Sequence, residues 1–96
     1  MRVISPKMLR EFGAVHPDAV EPLARWRQLV TAAEWKTFAD VKAEFGSVDQ
    51  YKQFAIFDIG GNKYRLIAAI HYNTGRVYIR HVLTHAEYTR GRWKKG

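Results

Sequence analysis

Residues 63–84, KYRLIAAIHYNTGRVYIRHVLT, decide the fold. Apolar and polar residues alternate on both sides of a central Asn-Thr-Gly, and this period of two predicts strands over residues 63–72 and 76–84 joined by a tight turn. A further strand over residues 53–59 ends at a Gly-Gly-Asn turn, where glycine tolerates positive φ. The second half of the chain therefore predicts a three-stranded antiparallel meander.

The alternation assigns each side chain in these strands to one face of the sheet. A two-residue turn at Thr74-Gly75 would place Leu66 opposite Leu83 and Ile70 opposite Ile79. One face is then the apolar core, with His81 on the same side, and its residues are Tyr64, Leu66, Ala68, Ile70, Val77, Ile79 and Leu83. The other face is expected to stay open and cationic, and it brings together Lys63, Arg65, Tyr78, Arg80 and Val82.

The first half of the chain predicts one short strand, over residues 2–4, followed by a hairpin of two helices. Ser5 is the predicted N-terminal cap of the first helix, which Gly13 ends. Asp18 and Glu21 have the spacing of a capping box at the start of the second helix. A shorter helical segment is expected over 40–45, before the meander.

A similar capping box follows the last predicted strand. Thr84 and Glu87 have the required spacing, which predicts a short C-terminal helix with Thr84 as its cap. His85 and Tyr88 would then lie three residues apart on one side of this helix, at the rim of the cationic face.

The length of 96 residues suits one small domain, and the hydrophobic content of 47% is too high for a disordered chain. The pattern predicts a single α+β domain over residues 1–96, with the helical hairpin packed on a small antiparallel sheet. The absence of cysteine excludes disulfides and thiolate metal sites, and no spacing of His, Asp or Glu favours a metal. Without a signal peptide or an apolar run of about 20 residues, the chain is expected to be cytoplasmic and to have no contact with membranes.

The positive charge is concentrated in the last third of the chain. Residues 1–62 contain eight basic and eight acidic residues, whereas residues 63–96 contain eight basic residues and one acid, Glu87, so the net charge of +7 falls there. Such a one-sided field attracts a polyanion such as RNA. The residues predicted to bind RNA are Arg76, Tyr78, Arg80, Arg90, Arg92 and Lys94.

RNA cleavage without a metal needs a base for the 2′-hydroxyl, cations for the phosphoryl oxygens and an acid for the leaving 5′-oxygen. His85 suits either proton-transfer role, because a histidine titrates at about pH 6.5. Lys63 and Arg65 suit phosphate neutralisation, and Tyr88 could donate a proton or stack on a base. These four residues are the predicted catalytic set, and the identity of the general base is left open.

Two blocks of this sequence resemble a known family. Residues 60–67, GGNKYRLI, and residues 78–88, YIRHVLTHAEY, resemble the HigB-type toxins of bacterial type II toxin–antitoxin systems, which belong to the RelE/ParE superfamily. Residues 16–19 and 35–42 are similar to further family segments. The resemblance covers nearly the whole chain, and the two longer blocks together are fairly specific.

The resemblance implies a RelE-like fold and ribosome-dependent cleavage of translated mRNA, without a metal or organic cofactor. It also implies neutralisation by a HigA-type helix-turn-helix antitoxin. The basic residues, histidine and tyrosine of superfamily active sites correspond here to Lys63, Arg65, His85 and Tyr88, with Arg80 as a weaker match. Two positions depart from the pattern, since Thr89 stands where many relatives have Asp and Asp58 where Asn is expected.

Two other functions remain open from the sequence. A ParE-like toxin that poisons DNA gyrase would share the fold but would need no acid–base residues for RNA. A non-catalytic RNA-binding domain would need only the charge. The presence of His85 and Tyr88 favours RNA cleavage over gyrase poisoning, and tight RNA binding without cleavage products would indicate the non-catalytic domain.

Overall fold

The computed structural model describes residues 1–95. These residues form five strands and four α-helices, with 3-10 turns at Pro17–Ala19 and Arg92–Lys95. In chain order the elements are β1 (Arg2–Ile4), α1 (Lys7–Val15), α2 (Val20–Ala32), α3 (Phe38–Glu44), β2 (Asp49–Tyr51), β3 (Phe54–Ile59), β4 (Tyr64–His71), β5 (Arg76–Thr84) and α4 (His85–Arg90). The predicted α+β class is confirmed.

The five strands form one sheet in the order β1-β5-β4-β3-β2. Strands β3, β4 and β5 form the predicted antiparallel meander, and β1 pairs with β5 in parallel. The edge strand β2 pairs antiparallel with β3 and was not predicted. Its short sequence, Asp-Gln-Tyr, carries no alternating apolar pattern that could identify it.

Helices α1, α2 and α3 cover one side of the sheet, which we call the helix face, and bury the larger apolar core there. Trp26 of α2 meets Phe57 of β3 edge-on, with ring centroids 5.4 Å apart. Leu66 and Val77 fill the same core from β4 and β5. Full burial of an aliphatic or aromatic side chain contributes about 1.5–3 kcal/mol, so this face supplies most of the apolar stabilisation.

A β-bulge in the β4–β5 pair changes the predicted register. Ala68 pairs with Ile79 but Ile67 pairs with His81, so Arg80 is an extra residue in β5. Because a bulge inserts one residue, it exchanges the two faces for everything beyond it. The predicted pairing was wrong on both sides of the bulge. Between the turn and the bulge, a turn longer than the predicted two residues gives Ile70–Val77, and beyond the bulge the pair is Leu66–Val82.

The bulge moves three side chains to the opposite face from the one predicted. Val82 packs against the core on the helix face, although it was assigned to the open face. Leu83 belongs to the apolar cluster on the other side, although it was assigned to the core. His81 moves with Leu83, because both lie beyond the extra residue.

The predicted starts of the first two helices were also wrong. Ser5 has φ of +69° and makes no capping side-chain bond, and α1 continues past Gly13 to Val15. A Cβ at Gly13 would lie 2.8 Å from Cγ2 of Val20, so glycine allows α1 and α2 to approach closely. Asp18 does not cap α2 either, because its carboxylate bonds Tyr64 on β4.

Helix α3 begins two residues before the predicted segment, because Thr37 and Asp40 form a capping box that the sequence reading missed. The predicted box of Thr84 and Glu87 at the start of α4 is confirmed. Within residues 1–95, none of the helices is both long and apolar enough to cross a membrane.

Candidate RNA-cleavage site

A smaller apolar cluster covers the side of the sheet opposite the helices, which we call the C-terminal face. Residues 85–95, the C-terminal segment, fold over it. The buried members of the cluster are Phe54, Ile56, Ile67, Ala69 and Trp93. The expectation of an open cationic face was therefore wrong, since the indole of Trp93, 4% exposed, closes over these apolar residues.

Arg65 lies on the C-terminal face but is only 8% exposed. Its Nε is 3.1 Å from Oδ1 of Asp58. Its Nη1 donates to the carbonyl oxygens of Asn62 and Tyr64, at 3.3 and 3.1 Å, and its Nη2 donates to the side-chain oxygen of Asn62. These contacts engage four of the five N–H groups of the guanidinium. Arg65 therefore ties β3 to the turn before β4, and these contacts leave one N–H of its guanidinium unused.

Tyr88 is held against Arg65 by the C-terminal segment. The Arg65 guanidinium lies over the Tyr88 ring, 5.3 Å from its centroid. The indole of Trp93 stacks on the same ring with centroids 5.4 Å apart, and its Nε1 donates to the Tyr88 carbonyl oxygen at 3.1 Å. Gly91, with φ of +74°, ends α4 and turns the chain back so that Trp93 reaches Tyr88. Since the ring is packed on these partners, the phenolic hydroxyl is its chemically useful group.

His85 is exposed at the first position of α4. Its backbone N–H donates to the Lys63 carbonyl oxygen at 3.2 Å, which ties the helix to the start of β4. The hydroxyl of Thr89 donates to the His85 carbonyl oxygen at 2.9 Å and lies 3.4 Å from Nδ1. The departure from Asp at position 89 thus places a neutral hydroxyl beside the imidazole.

Lys63 points away from Arg65, so the predicted grouping of the two on one face was wrong. Its Nζ lies 3.2 Å from Oδ2 of Asp18, in the turn between α1 and α2. Tyr64 donates to Oδ1 of the same carboxylate at 2.6 Å. These hydrogen bonds, from Tyr64 first and Lys63 second, lower the pKa of Asp18, and the bond to Asp18 raises the pKa of Tyr64.

The predicted RNA-binding residues spread along the C-terminal face and its segment. The guanidinium of Arg80 lies 6.0 Å from the Phe54 ring centroid, and the ring of Tyr78 meets that of His71 at 4.8 Å. Lys94 reaches the Tyr51 ring at 5.1 Å. Arg76, Arg90, Arg92 and Lys94 are all exposed.

His81 and Trp93 are the residues of this face that sequence reasoning missed. The bulge brings His81 to the C-terminal face, and its pKa is lowered by partial burial and then by the nearby Arg80 charge. Trp93 was treated as one aromatic in a basic tail. Its spacing of five from Tyr88, with glycine between them, was the available signal for a chain reversal.

The polar side chains of this region include types that can neutralise a phosphate or transfer a proton. Among residues 1–95, no three His, Asp or Glu side chains form a cluster that could hold a metal ion. Glu87 is committed to its capping box, where the Thr84 backbone N–H holds the pKa of its carboxyl below the usual range. Arg65, Tyr88 and the exposed His85 remain as the groups suited to phosphate binding and proton transfer.

A family model for HigB toxin, described as the RelE-like toxic component of a toxin–antitoxin system, matches residues 19–91. That match covers more than half of the chain. The chain belongs to the HigB toxin family. The match includes β2 to β5 and α4, and therefore all four residues of the predicted catalytic set.

Individual HigB proteins are similar to this chain along most of its length. The mRNA interferase toxin HigB of Escherichia coli strain K12 is 30% identical over 91 residues, which cover 92% of this chain and 88% of the relative. The mRNA interferase HigB of Shigella flexneri has the same identity and coverage. A HigB from Escherichia coli O6:H1 is 26% identical over the same shares.

The HigB family match ends at residue 91, so Arg92, Trp93 and Lys94 lie beyond it. In this chain those residues complete the C-terminal face, because Trp93 packs on Tyr88 from inside the matched region. The family match therefore includes strands β2 to β5 and α4, while β1 and residues 92–95 lie outside it.

Proposed function

We propose that this chain is the toxin of a type II toxin–antitoxin pair and acts as an mRNA interferase, an endoribonuclease that inhibits translation. The observation that carries the proposal is the packing of Arg65 on Tyr88 beside the start of α4, where His85 is exposed. The family of the chain supports the same activity. A ribosome would present the mRNA to this surface, so the toxin would act in the cytoplasm.

The proposed reaction is attack by the ribose 2′-oxygen on the adjacent phosphorus. The 2′-hydroxyl loses its proton, the new oxygen–phosphorus bond forms, and the bond to the 5′-oxygen breaks as that oxygen gains a proton. His85 and Tyr88 are the proposed proton-transfer groups. Arg65 would stabilise the charge on the phosphoryl oxygens through its remaining N–H, and Lys63 would contribute at longer range.

The proposal is tested by adding purified toxin to a translation extract and mapping mRNA ends by primer extension. The wild type should produce new ends within translated regions, and His85→Ala should reduce them by about 100-fold or more if it transfers a proton. Arg25→Ala, at an exposed arginine of α2, is the matched surface control. Intact mRNA with the wild type would overturn the proposal, and full activity of His85→Ala would overturn its site.

Arg65→Ala belongs in the same experiment with a check of folding. Because Arg65 is buried and paired, circular dichroism must show that the variant is folded before its loss of cleavage is assigned to chemistry. DNA damage without mRNA cleavage would indicate gyrase poisoning instead, and RNA binding without new ends would indicate a non-catalytic binder.

Membership of a toxin–antitoxin family implies an antitoxin partner, and we propose a HigA-type helix-turn-helix protein. The basic last third predicts acidic or neutral antitoxin groups facing it. The helical hairpin offers a second surface, an apolar groove of about 700 Å³ between α1 and α2. Val20, 51% exposed, lies in it, and Arg10 and Arg27 line it as well, which favours an acidic amphipathic segment.

Val20→Glu tests the groove, because a carboxylate is tolerated at the first residue of α2 but repels an acidic partner. The variant should bind the antitoxin more weakly in calorimetry and cleave mRNA as the wild type does. Unchanged antitoxin affinity would exclude the groove as a contact surface.

A further inference from the structure

A cavity of about 260 Å³ lies on the C-terminal face, between β5 and the C-terminal segment. Strand β5 contributes His81 and Leu83, and the segment contributes the side chains that close it: Glu87, Arg90, Arg92 and Trp93. The volume is below the range of about 300–1,000 Å³ for drug-sized ligands, so it suits a smaller group. A single ribose phosphate is a group of that kind.

The charges around the cavity favour a phosphate over a cation. Arg90 and Arg92 contribute two positive charges and Glu87 one negative charge. The Glu87 carboxylate accepts the Thr84 backbone N–H at 2.9 Å, so its charge is already engaged in the capping box. Guanidinium groups bind phosphate through paired N–H bonds, which lysines cannot make.

The cavity also contains an imidazole, that of His81, which phosphate binding alone would not require. The bulge at Arg80 brings the imidazole to this face, opposite Ile67 of β4. Partial burial lowers the pKa of His81, and the charge of Arg80 acts in the same direction. The groups facing it from the segment are Arg90, Arg92 and Glu87, of which two are cations. The lowered pKa favours the neutral imidazole, which offers one acceptor nitrogen.

We propose that this cavity is a nucleotide subsite, in which Arg90 and Arg92 hold an RNA phosphate and the His81 imidazole accepts a hydrogen bond from a ribose 2′-hydroxyl. The inference rests on the proposed function, because it assigns a binding role for RNA beside the Arg65–Tyr88 pair. The 2′-hydroxyl is the group that distinguishes RNA from DNA, so His81 becomes a specificity residue.

The direct test measures binding of a short single-stranded RNA and of the DNA with the same base sequence. Toxin labelled with 5-fluorotryptophan has three ¹⁹F signals, from Trp26, Trp35 and Trp93. Trp93 lines the cavity, whereas the other two lie in the core of the helix face. RNA should shift the Trp93 signal and leave the other two unchanged. Equal shifts of all three signals, or a shift of none, would overturn the subsite.

Arg92→Gln should weaken RNA and DNA binding alike, by about tenfold, because a charge-assisted phosphate contact is lost. The salt slope of binding should fall by about 0.7, the value for one phosphate contact on a single strand. Arg25→Gln, on α2, is the matched control and should change neither quantity. Equal behaviour of the two variants would contradict the phosphate role.

His81→Phe should lower RNA affinity by about threefold to tenfold and leave DNA affinity and the salt slope unchanged. His81→Gln retains an acceptor and should restore part of the preference for RNA. A His81→Phe variant that keeps the full preference would overturn the ribose contact, and so would one that loses RNA and DNA affinity equally.

These results are separate from those that test mRNA cleavage. One outcome is that the wild type cleaves mRNA in a translation extract while Arg92→Gln and His81→Phe change neither binding nor cleavage. That result would contradict the subsite and agree with the proposed function. Selective RNA binding in the cavity without any cleavage would leave the subsite and remove the proposed function.

Discussion

Leu66 and Ile67 are neighbours on β4 and both are fully buried, but their side chains enter different surroundings. Leu66 faces three helices and the larger core, while Ile67 faces a small cluster closed by Trp93. The helix face contains mostly apolar contacts, and the C-terminal face adds Arg65, His81 and Tyr88 to its apolar cluster. The comparison indicates that apolar packing against the helices dominates one side of the sheet, while ionisable side chains lie among the apolar residues on the other side.

Truncating one buried aliphatic side chain to alanine on each face should give the largest difference in unfolding free energy. Leu66→Ala should cost about 3–4 kcal/mol of unfolding free energy, because the surrounding helices cannot collapse into the cavity. Ile67→Ala should cost about 2–3 kcal/mol, since the C-terminal segment can adjust. Urea unfolding measures both values. A larger loss for Ile67→Ala would show that the C-terminal face is the main core.

The two ion pairs, Arg65–Asp58 and Lys63–Asp18, differ in how far they are buried. Asp58→Asn removes the charged partner of buried Arg65 and should cost about 1–3 kcal/mol. Asp18→Asn removes the partner of exposed Lys63 and should cost less, because water screens that pair. Thermal unfolding of the two variants under one buffer condition compares them. Equal losses would show that Arg65 does not depend on Asp58.

Two capping boxes provide a matched pair for stability and activity. Thr37→Ala loosens α3 and Thr84→Ala loosens α4, and each should cost about 1 kcal/mol. Only Thr84→Ala should reduce mRNA cleavage, because α4 carries His85 and Tyr88. Unfolding and primer extension should be measured on both variants. Equal cleavage by the two would indicate that the position of α4 does not matter for the reaction.

The smallest expected effect is a pH dependence on the C-terminal face. Because the pKa of His81 is lower in the folded chain than its ordinary value of 6.5, the unfolded chain binds more protons in that window. Stability should therefore fall as pH decreases from about 7 to about 5, and His81→Gln should reduce the slope. Asp18 and Glu87, whose pKa values are lowered, lose their contribution only below about pH 4.5. An unchanged slope in the variant would contradict the burial of the imidazole.

The sequence predicted the features that local pattern controls. Alternation located the three strands of the meander, and the spacing of Thr84 and Glu87 located α4. The bulge at Arg80 escaped prediction because one extra residue leaves an alternating pattern that still reads as a continuous strand. The faces of His81, Val82 and Leu83 were misassigned for that single reason.

Other errors arose from partners distant in sequence. Aspartate is a common helix cap, but the Asp18 carboxylate accepts a hydrogen bond from Tyr64, which is 46 residues away in the sequence. Arg65 was predicted as an open phosphate ligand, yet the structure commits most of its donors to Asp58 and the preceding turn. Charge counts cannot show whether a cation already has protein partners.

Tyr88 and Tyr51 allow the most direct test that mRNA is cleaved on the C-terminal face. Both rings contact Trp93, with centroids 5.4 and 5.3 Å from the indole, but Tyr88 also packs against Arg65. Phenylalanine keeps the packing at each position and removes the hydroxyl alone. In a translation extract, Tyr88→Phe should cleave mRNA at least about 100-fold more slowly than the wild type, while Tyr51→Phe keeps the wild-type rate. Wild-type cleavage by Tyr88→Phe, or an equal loss in both variants, would contradict the assignment of the reaction to this face.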